Sequence, residues 1–169
     1  STRVRSSAAS DVYKRQVTAN FAPYLLERAQ MYMNNDQARN AMLDYDAYYK
    51  AVNGQVNDLF YYYREQAALK ARQYQRALDD IVKAIELSPK DLTYRAEHAV
   101  VNLRVGRYEE SMKILNEILK DEPKYGEAYR LLGLCQIQLK KTDEACGNFN
   151  KAKELGDPNV DELIKKYCK

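Results

Sequence analysis

The residue types that usually carry chemistry are sparse and scattered in this sequence. His98 is the single histidine, and no Cys or carboxylate stands at a convincing ligand spacing from it. It reads as a half-buried structural histidine. There is no glycine-rich phosphate loop, no HExxH zinc signature and no nucleophile elbow. The acid pairs Asp79-Asp80 and Glu109-Glu110 lie in segments of alternating charge and read as solvated faces. Cys135, Cys146 and Cys168 are either free thiols or bonded, and only their placement can decide. Tyrosine is the abundant group, 15 against 3 Phe and 0 Trp, clustered at Tyr48-Tyr49 and Tyr61-Tyr62-Tyr63. Successive helical residues point about 100° apart, so a Tyr triplet cannot all be core. Tyr61 falls on the packing side of the cluster. The pattern predicts a non-catalytic protein with no cofactor and no metal site.

Charge excludes further classes. The net charge of +3 resides in residues 1–16, where Arg3, Arg5, Lys14 and Arg15 face only Asp11. The rest has 23 basic and 23 acidic residues. A neutral chain without a basic block is a poor electrostatic partner for nucleic acid. No apolar run approaches the roughly 18 residues of a membrane-spanning helix, so membrane insertion is not expected. Residues 6–16 match, codon by codon, a translated transposase-type sequencing-library adapter. The expectation is a non-native leader over 1–16 and a protein domain over 17–169 whose native N-terminus is missing.

The elements that position the remaining residues recur. Ala41, Ala77, Ser111 and Ala145 are small residues at steps of 36, 34 and 34. Four residues later come Tyr45, Ile81, Leu115 and Phe149; three further on come Tyr48, Ala84, Ile118 and Ala152. Prolines follow at 89, 123 and 158. Each period reads as two amphipathic helices separated by a tight turn: Asn34–Asp36, Ala71–Gln73, Gly106-Arg107 and Lys140–Thr142. The first period is two residues longer, most simply in the connection Val52–Asn57. Val160–Tyr167 adds a short amphipathic helix that would cover the last apolar face.

This pattern resembles the tetratricopeptide repeat, a 34-residue helix–turn–helix. The fourth period matches best, through Tyr129, Leu132-Gly133, Ala145, Phe149, Ala152 and Pro158. The third is loose in its first helix, where Arg95 and His98 stand at expected apolar positions. The resemblance implies an all-α right-handed superhelical solenoid of hairpins at about 22–57, 58–91, 92–125 and 126–159, with a C-terminal capping helix at 160–168.

It also implies a concave wall. The first hairpin would give Leu26, Gln30 and Met33, and the second Tyr62, Gln66, Leu69 and Lys70. The third would give Ala96, Val100, Leu103 and Arg104, and the fourth Arg130, Leu134, Ile137 and Gln138. Some family members hold a chaperone's terminal carboxylate with Lys and Asn on this wall. Here those positions are Leu26/Gln30, Tyr62/Gln66 and Ala96/Val100, so that clamp is absent.

Cys135 falls in the first helix of the last hairpin, as a small hydrophobe. Cys146 faces the capping helix that Cys168 ends, so either the two form a disulfide or both remain free. The closing residues resemble the ends of repeat proteins exported by Bacteroidota-like bacteria. That resemblance favours the bond and an oxidising compartment such as the periplasm.

The expected function is a non-catalytic protein- or peptide-binding scaffold, the C-terminal fragment of a longer repeat protein. The alternative is an accessory regulatory or substrate-docking domain of a multidomain enzyme or signalling protein. Self-association through the truncated N-terminal face is a third reading. The small column makes a direct prediction: two helices must cross closely there. Ala145→Leu therefore costs about 1–3 kcal/mol by overpacking, read from urea denaturation followed by circular dichroism.

Overall fold

The computed structural model describes residues 21–168, and among these every regular element is an α-helix. The leader assigned to residues 1–16 lies outside the described residues. In chain order the helices are α1 (21–34), α2 (Ala38–Ala51), α3 (Asp58–Lys70), α4 (Tyr74–Leu87), α5 (Leu92–Arg104), α6 (Tyr108–Asp121), α7 (Gly126–Gln138), α8 (Thr142–Glu154) and α9 (Asp161–Tyr167). The expected all-α hairpin pattern is thus present, with ends shifted by about one residue. The chain divides into two compact units between Asp80 and Ile81, inside α4.

Within each hairpin the turn has one solution. The residue that reverses the chain adopts a left-handed backbone: Asp36 (φ 56°), Arg72 (φ 60°), Gly106 (φ 80°) and Lys140 (φ 61°). Their amides and those just after them bond back to the last carbonyls of the preceding helix, as in Gly106 to Leu103 O and Arg107 to Asn102 O. Only Gly106 adopts this conformation without a Cβ penalty. Helix starts are capped where the sequence supplies a cap. Asn57 Oδ1 accepts from the Phe60 amide at 3.0 Å, and Asp91 Oδ1 accepts from Thr93 and Tyr94.

The small-residue column is fully buried: Ala41, Ala77, Ser111 and Ala145 each show 0% exposure. Ser111 tolerates burial because its hydroxyl donates to Ala99 O at 2.7 Å across the α5–α6 crossing. In the C-terminal unit Ala96, Ala99, Leu115, Ile118, Ala128, Leu131, Leu132 and Cys135 form one core, and Ala145, Phe149, Ala152 and Val160 form a second beneath α9. Gly133 is fixed by the same geometry, since a Cβ there would lie 2.6 Å from Cδ1 of Phe149. In the loose third hairpin Tyr94, Val101 and Asn102 are buried, while Arg95 pairs outward with Asp121 at 2.8 Å.

The N-terminal unit departs from the sequence reading in two places. Phe60, not Tyr61, is the buried aromatic of α3, at 6% exposure, and it meets Tyr45, Tyr48 and Tyr49 at ring distances of 5.8, 5.4 and 5.9 Å. Asp80 is not on a solvated face. It is buried and takes a two-pronged hydrogen bond from Arg64, at 2.8 and 2.6 Å. Arg28 and Asp44 repeat that fork at 2.7 and 2.6 Å, 36 residues earlier. A buried carboxylate is tolerable only with such a partner.

The turns yield the prediction. Lys140→Gly relieves a left-handed Cβ and raises stability by several tenths of a kcal/mol, whereas Gly106→Ala lowers it by about 1 kcal/mol. Thermal denaturation of the two variants reads the opposite signs.

Candidate functional site

The column that ends in Ala84, Ile118 and Ala152 is fully buried at those three members. Its first member, Tyr48, is only half-buried. A large side chain stands there where the other hairpins carry small or aliphatic ones, and it opens onto a cavity of about 790 Å³. Helices α1, α2 and α3 line this cavity with Leu26, Tyr48, Leu59, Phe60 and Tyr63 over Tyr45. The longer connection after α2 supplies Gln55, Val56 and Asn57 to its edge. That connection holds the two extra residues of the first period, and Asn53 (φ 51°) and Gly54 (φ 73°) turn the chain in succession. Insertion and cavity therefore belong together.

The walls grade from dry to wet. Tyr45 and Phe60 are buried, and Leu59 and Tyr63 are 47% and 43% exposed. Burial pushes the Tyr45 phenol up to about 12, with Tyr63 adding to the shift, so it stays a neutral group at ordinary pH. Among the described residues Glu27 is the only charged one in the lining. Behind the walls Arg64 lies over the Tyr49 and Phe60 rings, 4.9 and 5.1 Å from their centroids, while bonded to Asp80. Arg76 is bonded to Asp46. These cations are occupied in holding helices together and do not line the cavity.

The residues assigned to a concave wall are distributed unevenly. Leu26 and Gln30 line the cavity; Tyr62, Gln66, Leu69 and Lys70 do not. Tyr62 is half-buried with its ring 5.5 Å from that of Tyr63, and Lys70 pairs with Asp36 at 3.0 Å. In the C-terminal unit Ala96 is core at 4% exposure and presents almost no surface. Val100, Leu103 and Leu134 are half-buried against the same core. Arg104 and Gln138 are exposed. Arg130 is held by Glu127 at 2.6 Å and Asp157 at 2.9 Å, so it is a structural cation. Burial pushes the nearby Glu97 carboxyl up, and Glu127 adds to that shift.

Among the described residues no group of His, Cys, Asp and Glu is arranged to hold a metal ion, and no helix is long and apolar enough to cross a membrane. His98 is half-buried; desolvation lowers its pKa against the raising pull of Glu110. Cys135 is a buried thiol, pushed up by desolvation, and its Sγ donates to Ser111 Oγ. The sulfurs of Cys146 and Cys168 are bonded, with Cα atoms 5.6 Å apart. The link ties α8 to α9, a helix of seven residues none of which is fully buried.

Turn, crossing and column together define a protein built from repeated helical hairpins. Residues 68–134, less than half of the chain, match the tetratricopeptide repeat family model. Ninety-nine residues are 30% identical to small glutamine-rich tetratricopeptide repeat-containing protein 2 of Mycosarcoma maydis, a match covering 59% of this chain and 28% of that protein. The chain thus spans less than a third of that relative. Several solved structures share the fold. YrrB, described as a TPR protein with an unusual peptide-binding site, superposes with a TM-score of 0.70 at 18% identity, covering 95% of this chain and 87% of its own. The first TPR of Spaghetti (RPAP3), bound to the HSP90 peptide SRMEEVD, gives 0.58 at 21% identity, with 66% and 87% covered.

The C-terminal bond sets a measurable cost. Closing a loop with a sequence separation of 22 contributes about 3 kcal/mol through the unfolded chain. Cys168→Ser is expected to lose that amount in urea denaturation. Addition of reductant should produce the same loss in the unsubstituted chain and no change in the variant.

Proposed function

We propose that the chain is a non-catalytic scaffold that binds a protein partner by taking up an extended or helical peptide. The observation that carries this reading is the 790 Å³ cavity between α1, α2 and α3. Its size falls in the range of about 300–1,000 Å³ typical of ligand sites, and its walls are mostly apolar with a few polar groups at the edge. Tyrosine-rich walls suit this role, because a large ring brings contact area at little conformational cost. The repeat family supports a protein partner. The peptide bound by the Spaghetti repeat ends in acids, and the clamp positions Leu26, Gln30, Tyr62 and Gln66 offer no cation to hold such an end. Of the concave wall, half-buried Tyr62 in the same unit is retained as a secondary contact.

We further infer that residues 1–16 are a translated adapter and that the native protein is a longer bacterial one. The exact reading of residues 6–16 supports the first inference. The Cys146–Cys168 bond supports export to an oxidising compartment.

Selection from a phage-displayed dodecapeptide library against the full chain tests the scaffold reading. The expected result is enrichment of peptides that bind with low-micromolar Kd by calorimetry. The variant Tyr62→Ala should weaken binding modestly at unchanged helicity. Absence of any binding peptide overturns the reading.

A further inference from the structure

The cavity of the N-terminal unit has a chemical bias that goes beyond its shape. Its floor is Tyr45 and Phe60, and Leu26, Leu59 and Tyr63 rise around it. Tyr45 remains neutral through the ordinary pH range. The amides of Gln30, Gln55 and Asn57 carry no net charge. Among the described residues, Glu27, exposed at the rim, is the only acidic or basic side chain of the Asp, Glu, Lys and Arg types in the lining, and no cation pairs with it. The neighbouring cations are engaged: Arg28 with Asp44, Arg64 with Asp80, Arg76 with Asp46 and Lys70 with Asp36. The site therefore combines aromatic ring faces, an apolar floor and one unopposed carboxylate.

We propose that this cavity selects peptides that place a lysine or arginine next to a large apolar side chain, and that it discriminates against acidic peptides. The apolar side chain removes the exposed surface of Leu59 and Tyr63 from water, which supplies the driving force. The basic side chain then lies between Glu27 and the ring faces, where a cation is attracted by both. A carboxylate in the same place would meet Glu27 and no donor of opposite charge. Charge thus sets the selectivity, and apolar burial sets most of the affinity. The cavity exceeds what one side chain fills, so the peptide contributes at least two residues to it. This proposal rests on the peptide-binding reading above and specifies its partner's chemistry.

The library selection tests it once the winners are sorted by charge and mapped by substitution. The expected winners pair an aromatic or aliphatic residue with Lys or Arg within a few positions. Leu59→Glu, at an exposed position, should weaken them about tenfold or more while helicity is retained. Glu27→Lys should weaken the basic winners severalfold and lose most of the salt dependence of their binding. The same variant should tighten a synthetic counterpart in which each Lys or Arg is replaced by Glu. Winners that are acidic overturn the proposal. So do winners whose affinity is the same in the wild type and in Leu59→Glu; in that case the scaffold reading stands and its site lies elsewhere. A library that returns no binder overturns both.

Discussion

Two helices can pack in these hairpins only where neither carries a bulky side chain at the crossing. That constraint fixes the rest. Ala41, Ala77, Ser111 and Ala145 show no exposure, and the residue four positions on, Tyr45, Ile81, Leu115 or Phe149, fills the space that the close approach leaves. Gly133 shows how little slack remains, since even a methyl group there would meet Phe149. Because a lone hairpin leaves one apolar face bare, neighbouring hairpins and a terminal helix must cover it. In the C-terminal unit α9 covers Phe149 and Val160 through Leu163, Ile164 and Tyr167, with the Cys146–Cys168 bond as a covalent tie.

Functional surface arises where this packing is relaxed. In the N-terminal unit the column member Tyr48 is too large to be buried like Ala84 or Ala152, and the connection after α2 is lengthened. The result is a cavity with an aromatic floor instead of a closed crossing. Holding the helices around it falls to the two Arg–Asp forks, Arg28–Asp44 and Arg64–Asp80, which satisfy buried carboxylates that burial alone would penalise. The forks thus occupy Arg28 and Arg64 internally, and among the described residues the cavity lining is apolar and amide with one acid, Glu27.

The hairpins, their turns and their buried columns were legible in the sequence because each rests on a local rule repeated four times. Small residues mark crossings, and a turn occurs wherever helical periodicity breaks. The third hairpin was less legible, because Arg95 and His98 occupy expected apolar positions while Tyr94 and Val101 do the packing. The site was only partly legible. Register alone named Leu26 and Gln30, and it also named Ala96, which the core absorbs. It placed Lys70 and Arg130 as open cations, although each has an acidic partner in space. Asp80 was read as solvated for the same reason: a segment of mixed charge does not reveal which member turns inward. Two signals could have found more. One is the Arg-x15-Asp spacing shared by the first two hairpins. The other is the coincidence of the two-residue insertion with the oversized Tyr48.

Hydrogen exchange of the full chain with and without a selected dodecapeptide tests the central claim most directly, because it reads location without any substitution. The account predicts added protection in residues 24–32 and 55–64, on the walls of the N-terminal cavity, with little change in α6 and α8. Protection confined to the C-terminal unit, or none despite measured binding, would contradict it.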